Sequence, residues 1–296
     1  MKKEVAVATY LDNHIKCVYE IRWLINSWRY SKSSDISDII IFYNPQIAEE
    51  LMPAQENGLI FIPLLPISRT TNEWGEYHRV NSIWYPTTKE GEILRDYKYT
   101  LLSDTDCFLT KSFVGFRPRL ATFGINAYAS EPAVLQRLIQ ICRKYGIKQH
   151  FINATSGIMA YSKHVIEYSK LRYNVAKKLR DTEFPDGIGA WPGWYAGITN
   201  MYSSHVAANM YFGMGYNLGG IDCMSMCEDP ISSNDYHIHA FHTYQDFSKL
   251  NWYDGKYNET DFSKLNPEII KDYCLLMAGK KEKLEIEDST FCSVCA

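Results

Sequence analysis

Short, wholly apolar runs alternate with longer amphipathic stretches along the first third of the chain. "VAVATYL" (5–11), "DIIIFYN" (38–44), "GLIFIPLL" (58–65) and "YKYTLLSDTD" (97–106) read as four strands, the second closed by a turn at Asn44-Pro45. Between the first two, "VYEIRWLINSWRY" (18–30) places Ile21, Leu24, Ile25 and Trp28 on one helical face. A short helix fits after Pro45, and another around Tyr77 to Trp84, broken near Pro86. Strand and helix in this order predict an α/β fold built on an open, mostly parallel central sheet with helices flanking it. Ligands of such sheets bind beyond the carboxyl ends of the strands.

The pattern is less regular further on. "EPAVLQRLIQICRKYG" (131–146) predicts an amphipathic helix stopped by Gly146. "FINATSGIMAYS" (151–162) reads as a small-residue turn leading into an apolar strand, and "HVIEYSKLRYNVAKKLRD" (164–181) as a second helix. "WPGWYAGITNMYSSHVAANMYF" (191–212) predicts an aromatic-rich helix starting near Pro192. After Asp272 a short helix precedes "KKEKLEIED", a solvated run. No repeat interrupts the pattern. It predicts one compact domain over residues 1–260, with a nucleotide-side half (1–110) and an acceptor-side half (111–260), then a C-terminal helix and tail over 261–296.

The 296 residues are 46% hydrophobic and 22% charged, with a net charge of −3. Such a chain can bury a sizeable core without disulfides. The near balance of charge argues against a nucleic-acid partner bound by a broad basic face. The apolar stretch Val5 to Ala8 is too short for a signal peptide and no run reaches membrane-spanning length, so the expectation is a cytoplasmic protein without integral membrane association. The eight cysteines are then expected as free thiols. Cys223 with Cys227 and Cys292 with Cys295 have a spacing that in principle forms a zinc site. Neither a P-loop nor a dinucleotide fingerprint is present.

Candidate chemistry centres on "LLSDTDCFLT" (101–110), where Asp104 and Asp106 stand one residue apart at the exit of a buried strand. In an extended exit both carboxylates point the same way. Two such acids make either a solvated turn or a hard-oxygen site for Mn²⁺ or Mg²⁺, which in turn holds a diphosphate. Like charges at the edge of a core repel unless a cation offsets them.

A strand running into "LLSDTDCFL", preceded by a helix with a basic residue, resembles the donor site of the GT-A fold nucleotide-sugar glycosyltransferases. "HRVNSIWYPTTKEGEILRDYKYTLLSDTD" has their order of helix, spacer, strand and acids, with Arg79 where a donor-contacting base lies. "FINATSGIMAYS" resembles their sugar-pocket turn, through Asn153, Ser156 and Gly157. "HAFHTYQDFSKLNW" resembles their late His…Lys…Trp segment, although the family pattern His-x-x-Gly-x-x-Lys-Pro-Trp is one residue shorter from His242 to Lys249 and has a Gly and a Pro absent here. "WPGWYAGITNMY" resembles a group of sparsely described plant, algal and viral glycosyltransferase-like proteins. The likeness spans most of residues 5 to 252.

The resemblance implies an enzyme that moves a sugar from a nucleotide donor, UDP before GDP, to a glycan or other hydroxyl acceptor. It implies a D-x-D metal, Mn²⁺ or Mg²⁺, on Asp104 and Asp106, with His242 completing the shell and His239 as the alternative. Lys249 or Arg79 would hold the diphosphate. The loop Thr9, Tyr10 and Asp12 would meet the nucleotide base, and Asp104 and Thr105 the ribose or sugar. Trp191 and Trp194 are candidates for acceptor stacking. A base to take the acceptor proton is sought among Asp222, Asp186, Glu228 and Asp229, with Asp222 preferred because it follows a Gly-Gly turn between apolar segments. Two rivals stand beside this reading: a binding module without turnover, and another metal-dependent phosphoryl-transfer enzyme.

Overall fold

The structure is a computed structural model that describes residues 3–279 except 68–73, 75–76, 151–152, 185–186, 226–227 and 241–246. The four expected strands are present as β1 (Val5–Leu11), β2 (Ser37–Tyr43), β3 (Leu59–Pro63) and β4 (Tyr99–Leu102). With β6 (Ala121–Ile125), β7 (Ala154–Tyr161) and β8 (Tyr216–Leu218) they form one sheet of order β3-β2-β1-β4-β7-β6-β8. Pairings are parallel except those of β7, which runs antiparallel to both β4 and β6. A second, three-stranded sheet joins β5 (Cys107–Leu109), β10 (His237–His239) and β9 (Cys223–Met224).

Both faces of the main sheet are covered, which is why its strands read as unbroken apolar runs. Along β1 the side chains alternate: Val5, Val7 and Leu11 enter one core, Ala6, Ala8 and Tyr10 the other. The first core is sealed by α1 (Ile15–Tyr30), through Val18, Ile21, Leu24, Ile25 and Trp28. The second is sealed by α3 (Pro132–Lys144), α4 (Ser162–Glu183) and α5 (Thr199–Tyr211). The short α2 (Asn81–Trp84) lies between strands β3 and β4.

Helix α1 is buried well beyond its predicted face, from Val18 and Glu20 through Trp28. Its second side packs on α7 (Ile270–Gly279): Trp23 joins a cluster with Phe108, Tyr273, Cys274 and Met277, and Asn26 Nδ2 donates to the Met277 carbonyl at 3.0 Å.

Two expectations shift. Ser156 and Gly157 lie on β7 itself, not on a turn before it; only Asn153 turns, at φ +63°. The helix expected near Pro192 begins at Thr199. The bond Trp191–Pro192 is cis, and residues 189–195 form a loop closed by a bridge between Gly189 and Tyr195. No helix among the described residues is long and apolar enough to cross a membrane.

Candidate functional site

Strand β4 ends at Leu102, and the chain turns through Ser103 to Asp106 before β5 begins at Cys107. The two aspartates therefore leave a turn, not the extended exit expected, and their surroundings diverge. Asp106 is buried and takes both nearby cations: Lys249 Nζ and His239 Nε2 (3.2 Å) meet the same oxygen, Oδ2. Lys249 is the first residue of α6 (Lys249–Tyr253), a helix capped by the Ser248 hydroxyl. His239 is brought in by β10, where it pairs with Cys107.

Burial would raise the Asp106 carboxyl; Lys249 and His239 more than offset it and hold the group far below the usual carboxylate range. The partners respond in kind. Burial opposes the charge of His239, yet Asp106 lifts its imidazole to about 9, and Lys249 is likewise raised against burial by Asp106 and Glu20. Asp104 differs. Its carboxylate makes no hydrogen bond or ion pair among the described residues, and it borders a narrow slot with Ser103, Tyr85, Ser156 and Gly157. Burial raises its pKa, with His239 pulling the other way.

Asp222 lies behind this pair, at φ +51° after the Gly219-Gly220 turn. Its Oδ1 is 3.0 Å from His237 Nδ1, and the Gly157 N–H donates to Oδ2 at 3.2 Å. Burial would raise this carboxyl, but the bonded His237 and the nearby His239 bring it down to about 2. His237 also meets Ser103 Oγ at 2.9 Å through Nε2, so one buried ring spans Asp222 and the turn that carries Asp104. The approach depends on two missing side chains. A Cβ on Gly157 would stand 2.7 Å from Asp222 Oδ2, and one on Gly124 would stand 2.8 Å from Asp222 Cβ.

Glu20 of α1 is a member of the site that the sequence pattern did not single out. Thr105 Oγ1 donates to its Oε2 at 3.0 Å, and the Tyr253 hydroxyl donates to Oε1. It thus ties the turn to α6, the helix that starts with Lys249. Burial and the Asp106 charge raise its pKa. A signal was available: Glu20 sits among residues of α1 that pack on two cores, where a lone acid needs a partner. Thr105 is turned into the protein by this bond and is 7% exposed.

The other predicted residues are placed as follows. Thr9 and Tyr10 belong to β1, which runs to Leu11, three residues further than a loop starting at Thr9 assumes. Thr9 is fully buried, and Tyr10 donates to the Leu64 carbonyl at 3.0 Å. Asp12 lies just past the strand end, where Asn44 and Asn81 donate to its two oxygens. Arg79 is exposed and donates to the Gly197 carbonyl at 2.7 Å. Asn153 accepts from the Ala129 N–H at 2.8 Å and so fixes its own turn. Trp194 is a packing residue, stacked between Phe184 and Tyr202, whereas Trp191 is 56% exposed. His242, Asp186, Cys227, Cys292 and Cys295 lie outside the described residues. Cys223 is a free thiol.

Around Asp106, four acids (Glu20, Asp104, Asp106 and Asp222) face the Lys249 ammonium and the His239 imidazole. Asp106, Cys107 and His239 bring potential ligand atoms within 4.8 Å of one another, and Cys107, Asp222 and His237 do the same. The Cys107 thiol is pushed well up by burial and by Asp106, which leaves oxygen and imidazole as the ready donors. Surplus negative charge, an unbonded carboxylate and an O/N donor set fit a hard divalent cation.

The architecture is shared with solved glycosyltransferases of the GT-A type. A galactosyltransferase, LgtC, determined with donor and acceptor sugar analogues, superposes with a TM-score of 0.53 over 94% of this chain and 97% of its own, at 8% identity. WbbM, a bifunctional glycosyltransferase in its apo form, gives a TM-score of 0.51 at 10% identity; the match covers 95% of this chain and 50% of that longer one. No curated protein matches this chain by sequence. Residues 1–293 match the model of a family described as a domain of unknown function, DUF7164, and the chain belongs to that family.

Proposed function

We propose that the protein transfers a sugar from a nucleoside-diphosphate donor, UDP before GDP, to a hydroxyl of a glycan or similar acceptor. The observation that carries this reading is the pair Asp104 and Asp106 at the carboxyl end of β4, one open to the slot and one clamped by His239 and Lys249. A sheet of this kind presents its ligand at that end. The GT-A type architecture supports the same reading.

Asp106 and His239 would hold Mn²⁺ or Mg²⁺, with Asp104 as a further oxygen donor. Bound there, the cation offsets charge on the departing diphosphate. The protein's own groups do the rest. Lys249 enters the site from the start of α6 and supplies a cation for a phosphate oxygen. Asp104 accepts hydrogen bonds from sugar or ribose hydroxyls. His237 keeps Asp222 and the turn in register. A carboxyl held near 2 is a weak base, so Asp222 suits stabilisation of positive charge better than removal of a proton.

The test is a screen of UDP- and GDP-sugars with Mn²⁺, following release of UDP or GDP. Release that vanishes in Asp106→Ala and persists in Lys264→Ala, a change at a distant exposed residue, supports the reading. Nucleotide binding without release from any donor favours a binding module. Phosphate release in place of nucleoside diphosphate favours a phosphoryl-transfer enzyme.

A further inference from the structure

Ser156 Oγ accepts hydrogen bonds from two side chains of the protein, which leaves its own proton to donate. A serine hydroxyl has one proton to donate and two lone pairs. Arg172 Nη2 donates to Ser156 Oγ at 3.1 Å, and Asn200 Nδ2 donates to it at 3.3 Å. The orientation of the Asn200 amide is itself fixed. The Asn200 backbone N–H donates to the Tyr77 hydroxyl oxygen at 2.8 Å, which leaves the Tyr77 proton for Asn200 Oδ1 at 3.1 Å. Burial pushes the Tyr77 phenol up to about 12, so it keeps that proton. Asn200 therefore turns its NH₂ toward Ser156.

With both lone pairs used, the Ser156 O–H has no acceptor among the described residues, and Ser156 lines the slot together with Asp104. Arg172 strengthens the effect. It is 1% exposed, forms no ion pair among the described residues, and also donates to the Ser156 carbonyl at 3.1 Å and the Asn200 carbonyl at 3.2 Å. Its Nε finds no partner among the described residues. A buried cation that donates to Oγ makes the hydroxyl a stronger donor.

We propose that Ser156 is an obligate hydrogen-bond donor to the transferred sugar, its polarity set by Arg172 and Asn200, and that with Asp104 it reads one free sugar hydroxyl. Asp104 only accepts when ionised, and Ser156 only donates. A hydroxyl satisfies both, accepting from one and donating to the other. An ether oxygen satisfies Ser156 alone, an ammonium satisfies Asp104 alone, and a sugar carboxylate would be repelled by Asp104. The slot therefore selects a sugar hydroxylated at this position and excludes its deoxy and uronic counterparts. The inference rests on the donor reading given above, and Arg172 and Asn200 are positioning residues within it.

The experiment is calorimetric titration of the full chain with Mn²⁺ and UDP, GDP, UDP-glucose, UDP-galactose, GDP-mannose and the forms of each sugar deoxygenated at single carbons. Failure of every nucleotide and nucleotide-sugar to bind overturns the donor reading and this one together. Given binding, removal of one particular hydroxyl is expected to weaken affinity about tenfold, or about 1.4 kcal/mol. Ser156→Ala should weaken the parent sugar by part of that factor, because the bond to Asp104 remains, and leave that deoxy sugar unchanged. Ser156→Thr should restore the wild-type pattern. Asn200→Asp offers Ser156 an acceptor, recaptures its proton and should behave as Ser156→Ala with the serine still in place. Circular dichroism confirms that each variant is folded. Equal weakening of UDP and all sugars by Ser156→Ala, or wild-type discrimination by Asn200→Asp, overturns the proposal while the donor reading stands.

Discussion

Asp106 and Asp104 share a turn and have opposite chemistry. Asp106 is closed: an ammonium and an imidazole converge on one oxygen, and its charge is secured. Asp104 is open: no group among the described residues bonds its carboxylate, and burial works against its charge. The same division runs across the cleft. Asp222 is closed by His237 and the Gly157 N–H, whereas Ser156 keeps a proton that finds no acceptor among the described residues. Groups with filled hydrogen-bonding capacity build such a site, and groups with spare capacity are the ones that meet a ligand.

The largest effect should come from the closed member. Asp106→Asn is expected to cut nucleoside-diphosphate release by about 100- to 1000-fold, the scale of losing a preorganised charge. It should also lower the melting temperature, because Lys249 and His239 lose the anion they face. Asp104→Asn should impair release too, yet hold or raise the melting temperature, since it removes a charge that burial disfavours and that no described residue hydrogen-bonds. Equal destabilisation by the two variants would erase the distinction between them.

Gly157→Ala comes next. Its methyl would press on the Asp222 carboxylate, and about 1–3 kcal/mol of stability should be lost in urea denaturation. Unchanged stability would mean that Asp222 is not held closely after all.

A pH dependence separates His239 from the other members. The His239 imidazole is raised to about 9 in the folded protein from an ordinary value near 6.5. Its contribution to stability is therefore complete below about 6.5 and lost as pH climbs through about 9. With metal removed by chelation, the melting temperature should fall between these values, and His239→Gln should flatten the slope. A slope unaltered in that variant would assign the pH response elsewhere.

The β1 to β4 half was legible because strands buried on both faces leave unbroken apolar runs, and the aspartates stood out against them. Other parts were hidden for physical reasons. Ser156 and Gly157 signalled a turn because small residues usually do; here both lie on a strand, where the bare Cα of Gly157 lets Asp222 approach. The late histidines carried no marker of which one faces the aspartates. The antiparallel pairing of β10 with β5 places His239 opposite Cys107 and so beside Asp106. Glu20 and Arg172 lie on helices, where a charged residue reads as solvated until tertiary packing encloses it on every side.

The seam between α1 and α7 has a consequence for how the molecule assembles. Asn26 and Met277 meet across a sequence separation of 251 residues, and the cluster that holds Trp23 also takes in Tyr273, Cys274 and Met277. A chain emerging from the ribosome can pair β1 with β2 early, but the outer side of α1 is not fully covered until the region around residue 270 has been made. Contacts this distant slow folding and prolong the exposure of apolar surface. The helix that carries Glu20 is thus synthesised well before the segment that completes its enclosure.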